Sequence, residues 1–253
     1  KLLLLLVVLA PLPLGSNREW SWTLCTFLVG VIALGWIAHA LFRPRQVSMS
    51  LGPTLIIFFL MVCGWAWMQT VVWIPDAWKH PLWRMSAELS GMGMPGSISL
   101  STEDSLVALM RLLCYGLVFF LAFQFGRDRE KALVTFKWLA IAGVVYAIFG
   151  LVNFWGDFGT LLWFFGGDIE SSVRGTFVNR NSFATYAGLT LLCVIAVFNQ
   201  QVTGRRSAAY YMPNSGGQRV EQFVLQVWKP LTAVLLVTTA LILTHSRGGF
   251  FST

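Results

Sequence analysis

Charge is scarce in this sequence: Asp, Glu, Lys and Arg make up 11% of its 253 residues. A soluble domain of that size needs more charge to cover its surface, so the composition argues against a water-soluble globular fold. Histidine is scarcer still, with His39, His80 and His245 too dispersed along the chain to suggest a metal site. The four cysteines (Cys25, Cys63, Cys114, Cys193) all lie inside apolar blocks with no CxxC spacing. They read as small apolar side chains, not as zinc ligands or a redox pair. The Walker loop, the dinucleotide fingerprint, GxSxG and HExxH are also missing, which removes the common soluble-enzyme chemistries. No internal repeat or low-complexity tract is present.

What the chain has instead is apolar length. Apolar residues account for 56% of it, and its mean hydropathy is +0.68. Crossing a hydrocarbon core of about 30 Å takes about 20 mostly apolar helical residues. Blocks of that kind predict spans at 1–14 (partial), 22–41, 51–73, 106–126, 134–155, 183–199 and 228–244. The expected fold is all-α, a polytopic transmembrane helical bundle of about seven spans forming a single domain over 1–253. Lys1 leads straight into Leu2–Ala10, and Pro11-Leu-Pro-Leu14 is no small-residue cleavage site. This opening reads as the remains of a first span, not a signal peptide. The other end, Gly248–Thr253, stops where another span would begin, so truncation is expected at both ends.

The loops between these spans alternate in character. One side holds Lys1, Arg43, Arg45, Arg127, Arg129, Lys131, Lys137, Arg205, Arg206, Arg219 and Lys229, against the acids Asp128, Glu130 and Glu221. The other holds Arg18, Lys79, Arg84, Arg111, Arg174, Arg180 and Arg247, against eight acids. Eleven basic residues against seven mark the first side as cytoplasmic. The net charge of +7 therefore follows membrane topology and does not point to nucleic acid. Trp20, Trp22, Trp73, Trp78, Trp83, Trp155 and Trp163 cluster near the outer boundary, where an indole prefers to sit. Residues 74–105 and 156–182 become long outer loops. The first contains a flexible stretch, Ser90–Ser97, and then Ser101-Thr-Glu-Asp104, placed to cap the next span. Residues 200–227 become a polar cytoplasmic linker.

The outward arginines carry the chemistry. Arg174 and Arg180 lie where an inward-running helix begins, with Asn181 or Ser182 placed to cap it. Unpaired N–H groups and a partial positive charge at such an end favour an anion. Arg247 follows an outward-running span, so Arg174 and Arg247 fall on one face. If the fold brings them together, two guanidinium groups suit a phosphate or diphosphate. Other readings stand beside this one. Arg174 can pair with Asp168 or Glu170 in its own loop. Arg247 can satisfy end carbonyls, with Gly248 as the left-handed residue that stops the helix. Arg180 suits a lipid-headgroup surface, Asn179 and Asn181 serve equally well as caps, and Glu103 with Asp104 suits a solvated helix start.

Arg174-Gly-Thr-Phe-Val-Asn-Arg-Asn-Ser-Phe-Ala184, followed by Leu243-Thr-His-Ser-Arg-Gly-Gly249, resembles the paired signature of the O-antigen ligase and polymerase superfamily. Pro11-Leu-Pro-Leu-Gly-Ser-Asn-Arg-Glu-Trp20 is similar to the first outer loop of many ligase-like members. The resemblance implies a membrane glycosyltransferase of GT-C-like type in the bacterial inner membrane, with its active face periplasmic. It implies metal-independent and cofactor-free transfer of glycan from an undecaprenyl-diphosphate-linked donor to lipid A–core or another glycan acceptor, among membrane lipids. Arg174 and Arg247 would then be the catalytic pair that binds the donor diphosphate and stabilises its charge as it leaves. Asn179, Asn181 and Ser246 would be supporting substrate-binding residues. The family's general-base histidine lies in an outer loop beyond the last motif here, so His245 comes too early to be that residue. The fragment alone is expected to be inactive. The competing expectations are a polysaccharide polymerase with the same donor, or a transporter of lipid-linked glycans. A transporter should carry ionisable or helix-breaking residues in mid-span, whereas these span centres are nearly free of charge and keep Pro at their ends.

Overall fold

The computed structural model of the protein describes residues 1–42, 52–93, 95–156, 172–209 and 216–248. Its helices are α1 (Leu2–Leu9), α2 (Glu19–Phe42), α3 (Pro53–Met68), α4 (Pro81–Ser90), α5 (Thr102–Gly126), α6 (Arg129–Trp155), α7 (Arg180–Ala209) and α8 (Gly216–Leu243). Among the described residues there is no strand. Helices α2, α5, α6 and the Arg180–Val202 part of α7 are long and apolar enough to cross a membrane, with mean hydropathies of 2.1, 2.3, 1.9 and 1.7. Large apolar side chains such as Phe27, Leu34 and Phe58 stand exposed along these and neighbouring helices. This is the architecture of a helical membrane protein.

The remaining expected spans are shorter. Helix α3 stops at Met68 instead of running to 73, because the next carbonyl, that of Gln69, accepts the N–H of Ser99 at 3.0 Å. The apolar part of α8, Val227–Leu243, and α3 both fall below the length of the four long helices. Helix α1 is only 8 residues long, ending before Pro11 and Pro13. Both flanks of the expected linker 200–227 are helical, since α7 runs to Ala209 and α8 begins at Gly216. Pro230 lies inside α8, near the start of its apolar part Val227–Leu243. The acids Asp168 and Glu170 lie outside the described residues.

The chain forms two units, Thr26–Gln124 on one hand and Lys1–Cys25 with Phe125–Thr253 on the other. In the first unit, Trp36 meets Phe120 edge-on at 5.1 Å between ring centroids. Gly116 of α5 faces Phe59 of α3 so closely that a Cβ would overlap the ring. The segment after Met68 is well anchored. His80 donates its N–H to the Ser97 carbonyl at 3.0 Å, and the Trp83 indole donates to the Ser99 carbonyl at 3.2 Å. Ser97, expected in a flexible stretch, is 1% exposed and donates its hydroxyl to the Ser99 carbonyl at 2.7 Å. Ser101 caps α5 as its sequence suggests, accepting the Asp104 N–H at 3.4 Å and donating to the Asp104 carboxylate at 2.6 Å.

In the second unit α6, α7 and α8 pack on one another, with α1 against α6. The core is built from Ala147, Leu151, Val173, Phe183, Ala184, Ala187, Val237, Ala240 and Leu241. So many small residues allow close helix approach, which lipid cannot drive through the hydrophobic effect. At Gly143 of α6 a Cβ would overlap the Thr190 side chain of α7. The Tyr146 hydroxyl donates to the Val8 carbonyl at 3.0 Å, occupying an end carbonyl of α1. Asp128 caps α6, accepting the Glu130 N–H at 3.0 Å and pairing with the Lys131 ammonium at 3.2 Å.

Two outcomes follow from this packing. Gly143→Ala is expected to lower stability by about 1–3 kcal/mol through overpacking against Thr190. Gly30→Ala, with nothing within 4 Å of its Cβ, should be neutral or stabilising. Thermal unfolding of both variants in detergent checks the contrast. The Lys131 side chain and the Glu130 N–H hold the Asp128 carboxyl below the usual carboxylate range. A pKa lowered by folding adds stability that is present above the unfolded value and lost as pH falls through the folded value. Asp128→Asn should therefore flatten the acid limb of the stability–pH profile while keeping the cap.

Candidate functional site

The segment that carries Arg174 is fixed on both sides. Val173 is 1% exposed within the core and donates its N–H to the Leu243 carbonyl at 2.9 Å. Gly175 has φ +58°, a left-handed conformation that suits glycine, and a Cβ there would come within 2.9 Å of the Phe183 ring. Gly150 of α6 leaves room for both, since its own Cβ would meet Val173 at 2.9 Å and the Gly175 backbone at 3.2 Å. The Phe177 N–H closes a turn onto the Arg174 carbonyl at 3.0 Å. Its ring packs on Phe183 and Tyr186, at centroid distances of 5.8 and 5.3 Å. Arg174, half-buried, donates from Nη1 to the Val178 carbonyl at 3.5 Å.

The N-terminal loop joins this cluster. Leu14, Gly15 and Ser16 have φ of +56°, +63° and +57°, three left-handed residues in a row. Such a run is strained for Leu and Ser and persists only where its surroundings hold it. The Ser16 hydroxyl donates to the Ala10 carbonyl at 2.6 Å, and a Cβ on Gly15 would lie 2.7 Å from the Phe177 ring. All three stretches that carry the family resemblance thus meet within one unit.

Helix α7 begins at Arg180, and its cap is Asn179, whose Oδ1 accepts the Asn181 N–H at 2.8 Å. The expected cap, Asn181 or Ser182, is displaced because the chain turns helical earlier; both lie in the first turn and are exposed. Asn179 thereby acquires a structural role. Arg180 and Asn181 present exposed side chains beside the free N–H groups of that turn.

At the other motif α8 ends on a threonine switch. Thr244, 0% exposed, donates its hydroxyl to the Leu241 carbonyl at 2.7 Å and accepts the Ser246 N–H at 3.2 Å. His245 takes the left-handed position with φ +51°, so Gly248 is not the residue that stops the helix. The Leu241 and Ile242 carbonyls accept from Thr244 and His245, and the Leu243 carbonyl from Val173. The last three carbonyls of α8 are thus satisfied without Arg247. Arg247 is exposed, at the start of a further helical stretch, and Ser246 before it is buried at 7%. The Val173–Leu243 bond puts the residue before Arg174 against the residue four places before Arg247. No carboxylate occurs in residues 172–209 or 222–253, and the acids that precede Arg174, Asp168 and Glu170, lie outside the described residues.

His245 closes α8 through its backbone, and His80 lies elsewhere. The Nδ1 atom of His80 accepts the Leu82 N–H at 3.3 Å as the cap of α4, within the other unit. Among the described residues no group of three His, Cys, Asp or Glu side chains is placed to hold a metal. Residue patterns alone did not reveal the aromatic cluster of Phe177, Phe183, Tyr186 and Tyr146 that supports the site. Its only trace is aromatic spacing along α7. No family model, curated protein or solved structure matches this chain.

Removal of the α7 cap by Asn179→Ala is expected to cost about 1 kcal/mol, and Asn179→Ser to recover most of it. Thermal unfolding distinguishes this capping role from one in ligand binding, which Ser would not restore.

Proposed function

We propose that this protein is a membrane glycan ligase, transferring glycan from an undecaprenyl-diphosphate-linked donor to lipid A–core or a related acceptor. The observation that carries the proposal is the bond between Val173 and Leu243, which brings together the segments that carry the two arginine motifs. In this reading Arg174 and Arg247 hold the donor diphosphate. An acceptor hydroxyl attacks the anomeric carbon, the bond from that carbon to the diphosphate oxygen breaks, and the guanidinium groups stabilise the charge that appears there. The first turn of α7, with Arg180 and Asn181, adds N–H groups of the kind that favour an anion. Ser246 supports Arg247 from the buried side, and Asn179 contributes by fixing the helix start.

The same reading includes the finer topology. About seven segments would form a GT-C-like bundle in the bacterial inner membrane, with the arginine face periplasmic and the basic loops cytoplasmic. Satisfaction of the α8 carbonyls by Thr244, His245 and Val173 supports the role given to Arg247, because helix capping is then no explanation for that residue.

In the complete protein, reconstituted in lipid, Arg174→Ala and Arg247→Ala are each expected to reduce transfer to purified lipid A–core by about 100-fold or more. Membrane insertion should be unchanged. Full activity in both variants would refute the site. Donor glycan that lengthens without forming a conjugate would identify a polymerase working through the same diphosphate site.

A further inference from the structure

A second feature of α6, α7 and α8 lies away from the arginine motifs. The three helices leave between them an open groove of about 1060 Å³. Its walls are apolar, including Ala140, Val144, Val197, Phe198 and Ala233, and the polar side chains that line it are Lys137, Lys229 and Gln201. Lys137 stands 18 residues before the end of α6, about 27 Å along a helix, and Lys229 stands 14 residues before the end of α8, about 21 Å. The lysines therefore sit toward the opposite end of this helix trio from Arg174 and Arg247. Both are exposed, and among the described residues neither forms a salt bridge. The Lys229 ammonium lies 5.6 Å from the Trp228 ring centroid, a pairing that suits the level of lipid headgroups.

We propose that this groove holds one anionic glycerophospholipid, with an acyl chain against the apolar walls and its phosphate between Lys137 and Lys229. Three observations select this occupant. Helix α6 and the Arg180–Val202 part of α7 have the length and hydropathy of membrane spans, so the groove they line with α8 has hydrocarbon beside it that can supply a chain. Among the described residues, its charged lining groups are two cations. The acids of these helices lie nearer their amino ends, Glu130 seven residues before Lys137 and Glu221 eight residues before Lys229, with Asp128 capping α6, and none is among the residues that line the groove. Two ammonium groups with no carboxylate among the lining residues favour a headgroup with net negative charge over a zwitterion. This site is independent of the proposed glycan transfer and takes a different ligand.

The test is lipid retention by the purified full chain in mild detergent, offered equal amounts of phosphatidylglycerol and phosphatidylcholine and read by native mass spectrometry. Phosphatidylglycerol is expected to be retained roughly tenfold over phosphatidylcholine. Lys137→Gln with Lys229→Gln, at two exposed positions, should bring that ratio close to one. Ala233→Phe, which fills the groove, should reduce retention of both lipids, and Arg174→Ala should leave the preference intact. Equal retention of the two lipids by the unaltered protein would overturn the proposal. So would a preference that survives the double lysine variant, or displacement of the lipid by inorganic phosphate alone, which would mark a soluble-anion site.

Discussion

The bond from the Val173 N–H to the Leu243 carbonyl is the contact around which the candidate site is organised. It satisfies one of the end carbonyls that a helix leaves open and holds a loop residue in the core at 1% exposure. Such bonds persist in an apolar interior because an unpaired backbone group there is costly. Around it, glycines make the space. Gly150 admits Val173 and Gly175, and Gly175 admits the ring of Phe183. The arginines are thus carried by backbone that has little freedom, with the Arg174 side chain half-buried and that of Arg247 exposed.

Preorganisation of this kind matters more for a charge-stabilising site than for simple binding. Guanidinium groups that already stand where charge will develop need no rearrangement during the reaction. The termination of α8 through Thr244 and His245 bears on the proposed site in another way. By closing the helix with its own hydroxyl and a left-handed histidine, the chain leaves Arg247 outside the cap.

The helices were legible in the sequence because their cause is composition. A run such as Thr26–Phe42 is apolar on every face, and only lipid accommodates that in a long helix. Local stereochemistry was harder to read. In Asn179-Arg-Asn-Ser182 three residues can cap a helix, and only backbone geometry selects Asn179. Gly248 looked like the natural helix stop, but a buried threonine hydroxyl closed α8 earlier and put His245 in the left-handed position. Helix α4 went unforeseen because its ten residues carry too short a pattern to separate from a loop. The pairing of Arg174 with Arg247 was inferred from their shared face. The contact that joins their segments spans 70 positions, from 173 to 243, and periodicity holds no record of it.

The same separation has a consequence for how the protein is made. Gly15 packs on Phe177, and Val173 bonds to Leu243, so the cluster draws on residues near both ends of the chain. Helices that enter the membrane one after another cannot complete such a cluster until α8 has left the insertion machinery. During synthesis the N-terminal loop, with its left-handed run at Leu14, Gly15 and Ser16, must wait without the aromatic surface that later supports it. Assembly order itself therefore keeps the three stretches from meeting until α8 is in place.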